Sequence, residues 1–285
     1  MVHINLALGG GGARGLAHIV MLEAFDELGL KPHRLAGTSF GAVVAALYAS
    51  GISAAEIRAD VEQLVGGGRR RLKNLFGRRE LAHWFKFVDL EFRRGGLLRG
   101  KRFQAFLKHR MPARDFTHLQ IPLKIVAADF WSWEPVVFDR GDLALAVKAS
   151  MSVPGVFAPV RIDGHLLIDG GAVDPLPYEL WQDACDATIA IEAVPVRVRD
   201  PRRNPRMLDS VFTTIQIMQH SIVAEKIKRN PPDLLIRPKI ADVRLMEFHK
   251  AAQIFADAEP EKQRLKRELR RLIEGAKPRQ DQAAE

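Results

Sequence analysis

Residues 4–8, Ile-Asn-Leu-Ala-Leu, run straight into four consecutive glycines, Gly9 to Gly12. A short apolar run stopped by glycine reads as a buried strand feeding a tight loop. The next segments alternate helix and strand. From Gly15 to Leu28 the apolar spacing is helical, and Gly29 is placed to close the helix as its C′ residue. Residues 34–38 form a second strand, and Phe40 to Ser50 a small-residue apolar helix that Gly51 ends. Ser53-Ala-Ala-Glu56 is a capping box opening a third helix, which stops at Gly66-Gly67-Gly68. Strands are expected at 121–128 and 135–138, then a helix capped by Asp142 and running to Ser150. Two short strands flank a turn at Asp163-Gly164 within 158–168, and another strand covers 187–194. A long helix runs from after Pro205 to about Arg229, followed by a strand at 233–237 and two helices. Such alternation specifies an α/β fold: three layers, α/β/α, around a mostly parallel central sheet covered on both faces. The expected organisation is one domain over residues 1–256, a C-terminal helix at 257–275 and a disordered polar tail at 276–285.

Composition narrows the classes further. With 285 residues, 47% hydrophobic and 27% charged, the chain can bury a sizeable core and is not generally disordered. One cysteine, Cys185, excludes an intrachain disulfide and points to a reducing, cytoplasmic setting. The first residues lack the basic and long apolar regions of a signal peptide, and no apolar stretch approaches the ~20 residues of a membrane span. The net charge of +9 is local in origin: residues 69–110 hold fourteen Lys/Arg against three Asp/Glu, a segment charge of +11.

Three motifs carry chemistry. Gly37-Thr38-Ser39-Phe40-Gly41 fits G-x-S-x-G, the turn that projects a serine hydroxyl between a strand and a helix. The blander role for Ser39 is to cap the adjoining helix. Gly9-Gly10-Gly11-Gly12-Ala13-Arg14-Gly15 ends the first strand and opens a helix, so successive backbone N–H groups can converge on an anion. Residues 10–15 also fit the dinucleotide pattern G-x-G-x-x-G, but that site needs an acid at the end of the second strand, and residues 31–38 contain none. Asp169-Gly170-Gly171 comes after the strand Leu166-Leu167-Ile168; alone it reads equally as a turn aspartate. A serine is a poor nucleophile without a base, and an oxyanion needs preorganised donors.

Taken together, these motifs resemble the patatin-like phospholipase family. The block Ala149-Ser150-Met151-Ser152-Val153-Pro154-Gly155-Val156-Phe157-Ala158-Pro159-Val160, ahead of Asp169, is similar to that family as well. The likeness spans residues 4–180 and extends more weakly through Asp233-Leu-Leu-Ile-Arg-Pro238 to Phe248, as in small bacterial members. One departure is Gly9, where many members carry Asp. The resemblance implies a patatin-like fold and a serine lipid acyl hydrolase, of phospholipase A or lysophospholipase type, needing no cofactor. It implies Ser39 as nucleophile and Asp169 as proton acceptor, a dyad without histidine. The amides of Gly10, Gly11 and Gly12 would form the oxyanion hole. Arg14, Gly15, Gly37, Gly41, Gly170 and Gly171 would support the motifs.

Other readings stay open. His220 and His249 come after Asp169, so the Ser…Asp…His order of a carboxylesterase or thioesterase is available. A lipid-binding protein that keeps the fold without the reaction is a third. No His/Cys/Asp cluster has metal-ligand spacing, and no metal is expected. Within residues 69–98, a basic lid or membrane-facing segment, Arg69, Arg70, Arg71 and Lys73 alternate with apolar residues such as Phe76 and Trp84. That mixture suits an anionic membrane surface, which would make the protein peripherally membrane-associated. It also suits a solvated cover over the site. No nucleic acid partner is expected, since no reading motif accompanies the charge.

Overall fold

The computed structural model describes residues 2–66, 101–181, 185–196 and 207–275. The expected membrane contacts Arg69, Arg70, Arg71, Lys73, Phe76 and Trp84, and the tail 276–285, lie outside the described residues.

The sheet begins with β1 (Ile4–Leu8) and β2 (Arg34–Thr38). It continues with β3 (Leu123–Asp129), β4 (Pro135–Phe138), β5 (Val160–Ile162) and β6 (His165–Asp169). β7 (Ala187–Ile191) and β9 (Leu234–Ile236) close the opposite side. The order is β5-β6-β3-β2-β1-β7-β9, with β4 pairing β3. β3, β2, β1, β7 and β9 are parallel, while β4, β5 and β6 run antiparallel to their neighbours. The sheet is therefore mostly parallel, as the alternation of strands and helices requires.

Alternate residues of a strand point to opposite faces, and β1 shows what each face wants. Ile4, Leu6 and Leu8 enter the large core with α1 (Ala17–Glu27), α2 (Phe40–Ala49), α3 (Ala54–Gly66) and α7 (Ala251–Ile273). Ala7 faces the other way, with Ala36 and Ala190, against Leu176, Tyr178 and Val223. Val223 belongs to α6 (Met207–Arg229). Large side chains on one face and alanines on the other leave the second helical layer close to the sheet. The remaining helices are α4 (Lys101–Arg110) and α5 (Leu143–Ser150), the latter capped by Asp142, whose carboxylate accepts from the Leu145 N–H at 2.8 Å. The capping box also forms: Ser53 Oγ accepts from the Glu56 N–H at 3.3 Å, and Glu56 accepts from the Ser53 N–H at 3.0 Å.

Two expectations are corrected. The strand at 187–194 stops at Ile191, and Val194–Val196 instead forms β8, paired in parallel with β10 (Lys239–Ala241) in a separate two-stranded sheet. In place of two full helices after β9 there is a single 3-10 turn, Phe248–Lys250, leading into one long helix, α7, which Pro260 does not end. Among the described residues no helix is long and apolar enough to cross a membrane.

Candidate active site

Strand register brings the motifs together. β1 and β2 are parallel neighbours with Leu8 opposite Gly37, so the glycine loop and Ser39 leave the sheet side by side at one edge. Thr38 lies opposite Val126, and the next residue of β3, Ala127, lies opposite Asp169. Ser39, one residue past Thr38, therefore emerges two strands from Asp169.

Ser39 adopts φ 55° and ψ −126°, a conformation disfavoured for a residue with a Cβ. Its side chain makes no capping bond to α2. Instead Oγ donates to Asp169 Oδ2 at 2.6 Å, which displaces the helix-cap reading. Close approach fixes the surrounding turn. A Cβ on Gly41 would lie 2.2 Å from the Leu8 carbonyl oxygen and 2.4 Å from that of Gly9, so only glycine lets α2 start against the glycine loop.

Asp169 is buried and uses both oxygens. Oδ1 accepts from the Gly171 N–H at 2.7 Å, the turn role that Asp-Gly suggests, while Oδ2 faces Ser39. Burial pushes its carboxyl up to about 6, against the opposing pull of the Ser39 and Gly171 hydrogen bonds. Among the described residues no histidine bonds to Ser39 or Asp169; His220 and His249 are both exposed.

The glycine loop corrects one assignment. The Gly10 N–H is already donated to the Pro175 carbonyl at 2.9 Å. The Gly11 and Gly12 N–H groups have no partner among the described residues, so these two amides are the donors left for an anion. Gly12 takes φ +57°, and a Cβ there would sit 2.4 Å from the Leu245 carbonyl oxygen. Arg14 is buried and donates to the Val243 carbonyl at 3.0 Å, tying the loop to the 242–247 turn. A Cβ on Gly15 would meet Phe40 at 2.8 Å, one on Gly37 would meet Ala42 at 2.7 Å, and one on Gly170 would meet the Val126 carbonyl oxygen at 2.2 Å.

Two supporting residues went unread in the sequence. His18, on α1, is fully buried, and its Nε2 lies 2.8 Å from the Gly9 carbonyl, placed to donate to it. Burial holds its imidazole down at about 4, so it is neutral near pH 7. Ser150 Oγ accepts from the Ser39 N–H at 2.8 Å, and the Ser152 carbonyl accepts from the Asp169 N–H at 3.0 Å. The block 149–160 thus holds both site residues by the backbone. Replacing Ser150 by Ala leaves the buried Ser39 N–H unpaired, a cost of about 1–3 kcal/mol. The expected result is a lower thermal midpoint and a kcat reduced roughly tenfold with KM little changed. An unchanged kcat in steady-state assays would count against this role.

Ser39 sits on the wall of a cavity of about 120 Å³. Phe40, Val43 and Leu47 of α2, Ile57 and Val61 of α3, Phe103 and Phe106 of α4, and Val153, Phe157 and Phe248 also line it. Among its described lining side chains only Ser39 and Asp60 are polar. No group of three or more His, Cys, Asp or Glu placed to hold a metal occurs among the described residues.

Ser39, on its strained backbone, is thus bonded to the buried Asp169 beside the Gly11 and Gly12 amides and an apolar cavity. A model of the family described as patatin-like phospholipase matches residues 6–180, and the chain belongs to that family. An uncharacterized NTE family protein of Mycobacterium tuberculosis is 35% identical over 213 residues, covering 70% of this chain and 52% of that protein. Lysophospholipase NTE1 of Candida glabrata is 26% identical over 275 residues, 88% of this chain and 15% of that one. The chain thus spans about half the length of the mycobacterial relative and a small part of the yeast one. The crystal structure of VipD from Legionella pneumophila matches with a TM-score of 0.51 at 13% identity, over 93% of this chain and 66% of that chain, which shows a shared fold.

Proposed function

We propose that the protein is a lipid acyl hydrolase working through an acyl-serine intermediate and a Ser-Asp dyad. The observation that carries this reading is the Ser39–Asp169 hydrogen bond of 2.6 Å on the wall of an apolar cavity. A fatty acyl chain would fill that cavity, its ester carbonyl at Ser39. As Oγ attacks the carbonyl carbon, its proton passes to Asp169 Oδ2. The carbonyl oxygen, now an anion, is met by the Gly11 and Gly12 N–H groups. On collapse Asp169 returns the proton to the leaving alcohol, and the acyl group stays on Oγ. Water then repeats the sequence: its proton goes to Asp169, and the fatty acid leaves as Ser39 is reprotonated. Family membership and the lysophospholipase among the relatives support lipid esters as the substrate class. The exposure of His220 and His249 weighs against the Ser-His-Asp alternative.

Incubation with a total lipid extract tests the reading. Mass spectrometry should show one class of acyl lipid falling and free fatty acid rising, with neither change for Ser39→Ala. A fluorophosphonate probe should label the wild type at Ser39. No lipid consumed and no label would leave a lipid-binding protein. The +11 charge of residues 69–110 supports an anionic bilayer as the place where substrate is met. Vesicle sedimentation should then rise with anionic lipid and fall with salt; equal binding to neutral vesicles would remove this part of the proposal.

A further inference from the structure

α6 packs Val223 and Ile227 against Leu176 and Tyr178. Lys226, three residues from Val223, shares that helix face, and its side chain is only 11% exposed. An ammonium withdrawn from water is costly unless acceptors replace the lost hydration. Here they do. Nζ donates to Asp174 Oδ1 and to the Leu176 carbonyl, each at 3.0 Å, and lies 3.4 Å from Glu179 Oε2. It also sits 4.7 Å from the centre of the Tyr178 ring. Lys226 therefore grips one short segment at both ends, with Pro175 between. Residues 174–176 belong to no helix or strand, so no regular backbone ladder holds them.

That segment touches all three motifs of the site. The Asp174 N–H donates to the Gly170 carbonyl at 2.9 Å, so the segment starts from the turn that carries Asp169. The Asp174 carbonyl accepts from Thr38 Oγ1 at 2.8 Å, one residue before Ser39. The Pro175 carbonyl accepts from the Gly10 N–H at 2.9 Å, which orients the loop just ahead of the Gly11 and Gly12 amides. We propose that Lys226 is a positioning residue: by fixing residues 174–176 it sets the glycine loop and the serine turn relative to each other. It lines no part of the apolar cavity, so its influence passes through Thr38 and Gly10. The effect on rate rests on the acyl hydrolase reading; the clamp on the loop does not.

Lys226→Met removes the donors at similar length. On a soluble short-chain ester it should lower kcat about tenfold with KM little changed, since small displacements of catalytic groups are costly and the acyl cavity is untouched. A second arm needs no turnover: hydrogen exchange on the full chain, read by mass spectrometry. Lys226→Met should speed exchange around Gly10 and residues 174–176, and not in β3 or α1. Because Met strands the Asp174 carboxylate, Asp174→Asn/Lys226→Met serves as a further variant without that charge. Its thermal midpoint should return towards wild type while kcat stays low, as the Leu176 carbonyl still lacks its donor. Lys228→Met, which loses an exposed pair with Glu225 on the same helix, is the control and should leave kcat unchanged. If kcat recovers together with the midpoint in the double variant, the loss came from an unpaired charge and the positioning role is overturned. Unchanged exchange at Gly10, or an equal rise throughout the sheet, overturns it as well. If wild type cleaves no ester while exchange rises at those two places alone, the hydrolase reading fails and the clamp stands.

Discussion

Ser39→Ala, Asp169→Asn and the double variant are expected to share one floor of activity, ~10²–10⁴ below wild type. The two groups form a single hydrogen-bonded unit at 2.6 Å, so removing either disables the proton path and removing both adds little. Asn keeps the size of Asp and can still accept from the Gly171 N–H, so a loss in Asp169→Asn reports chemistry and not collapse of the turn. Residual activity at the floor is what the Gly11 and Gly12 amides and the apolar cavity supply on their own. His249→Ala should match wild type, and His220→Ala should stay well above the floor. The measurement is kcat/KM on a soluble short-chain ester, with circular dichroism to confirm folding. Additive losses in the double variant would mean that Ser39 and Asp169 do not act as one unit, and a histidine variant at the floor would replace the dyad with a triad.

The parts of the site that were legible in the sequence are those fixed by neighbours along the chain. Ser39 sits between a strand and a helix with glycines two residues to either side, and that local order is enough to place it. Asp169 was ambiguous from its own surroundings, because Asp-Gly-Gly makes a turn whether or not a serine waits opposite. Its closeness to Ser39 comes from the pairing of β3 with both β2 and β6, a nonlocal fact that no local pattern carries. Gly10 shows the same limit for the backbone. Counting glycines gives three candidate amides, but only the folded chain reveals that the Pro175 carbonyl takes one of them. Ser150 lay within a block singled out in the sequence, yet its hydroxyl acts on a residue over a hundred positions away. The small β8–β10 sheet consists of two three-residue strands, too short to leave a period.

Asp169→Asn is further expected to make the protein more stable at neutral pH while it removes activity. Burial raises the Asp169 carboxyl from an ordinary 3.8 to about 6 in the folded protein. The folded state therefore holds this proton more tightly than the unfolded state does. Its stabilising contribution is complete below pH ~4 and is lost as pH rises through about 6, where a charge must be kept in a buried site. The difference between the two values corresponds to about 3 kcal/mol. Asn carries no charge at any of these pH values, so urea unfolding should find Asp169→Asn more stable than wild type by up to about 3 kcal/mol at pH 8. That advantage should close towards pH 4. Activity must run the other way, because only the ionised carboxylate can take the Ser39 proton. In wild type kcat/KM should climb with pH through an apparent value of about 6 and level above it. Equal stability of the two proteins at pH 8, or a limb near 4, would mean that Asp169 is solvated as an ordinary surface acid. If both trends hold, burial that weakens the fold at pH 7 is the same burial that makes this carboxylate basic enough to accept a proton from serine.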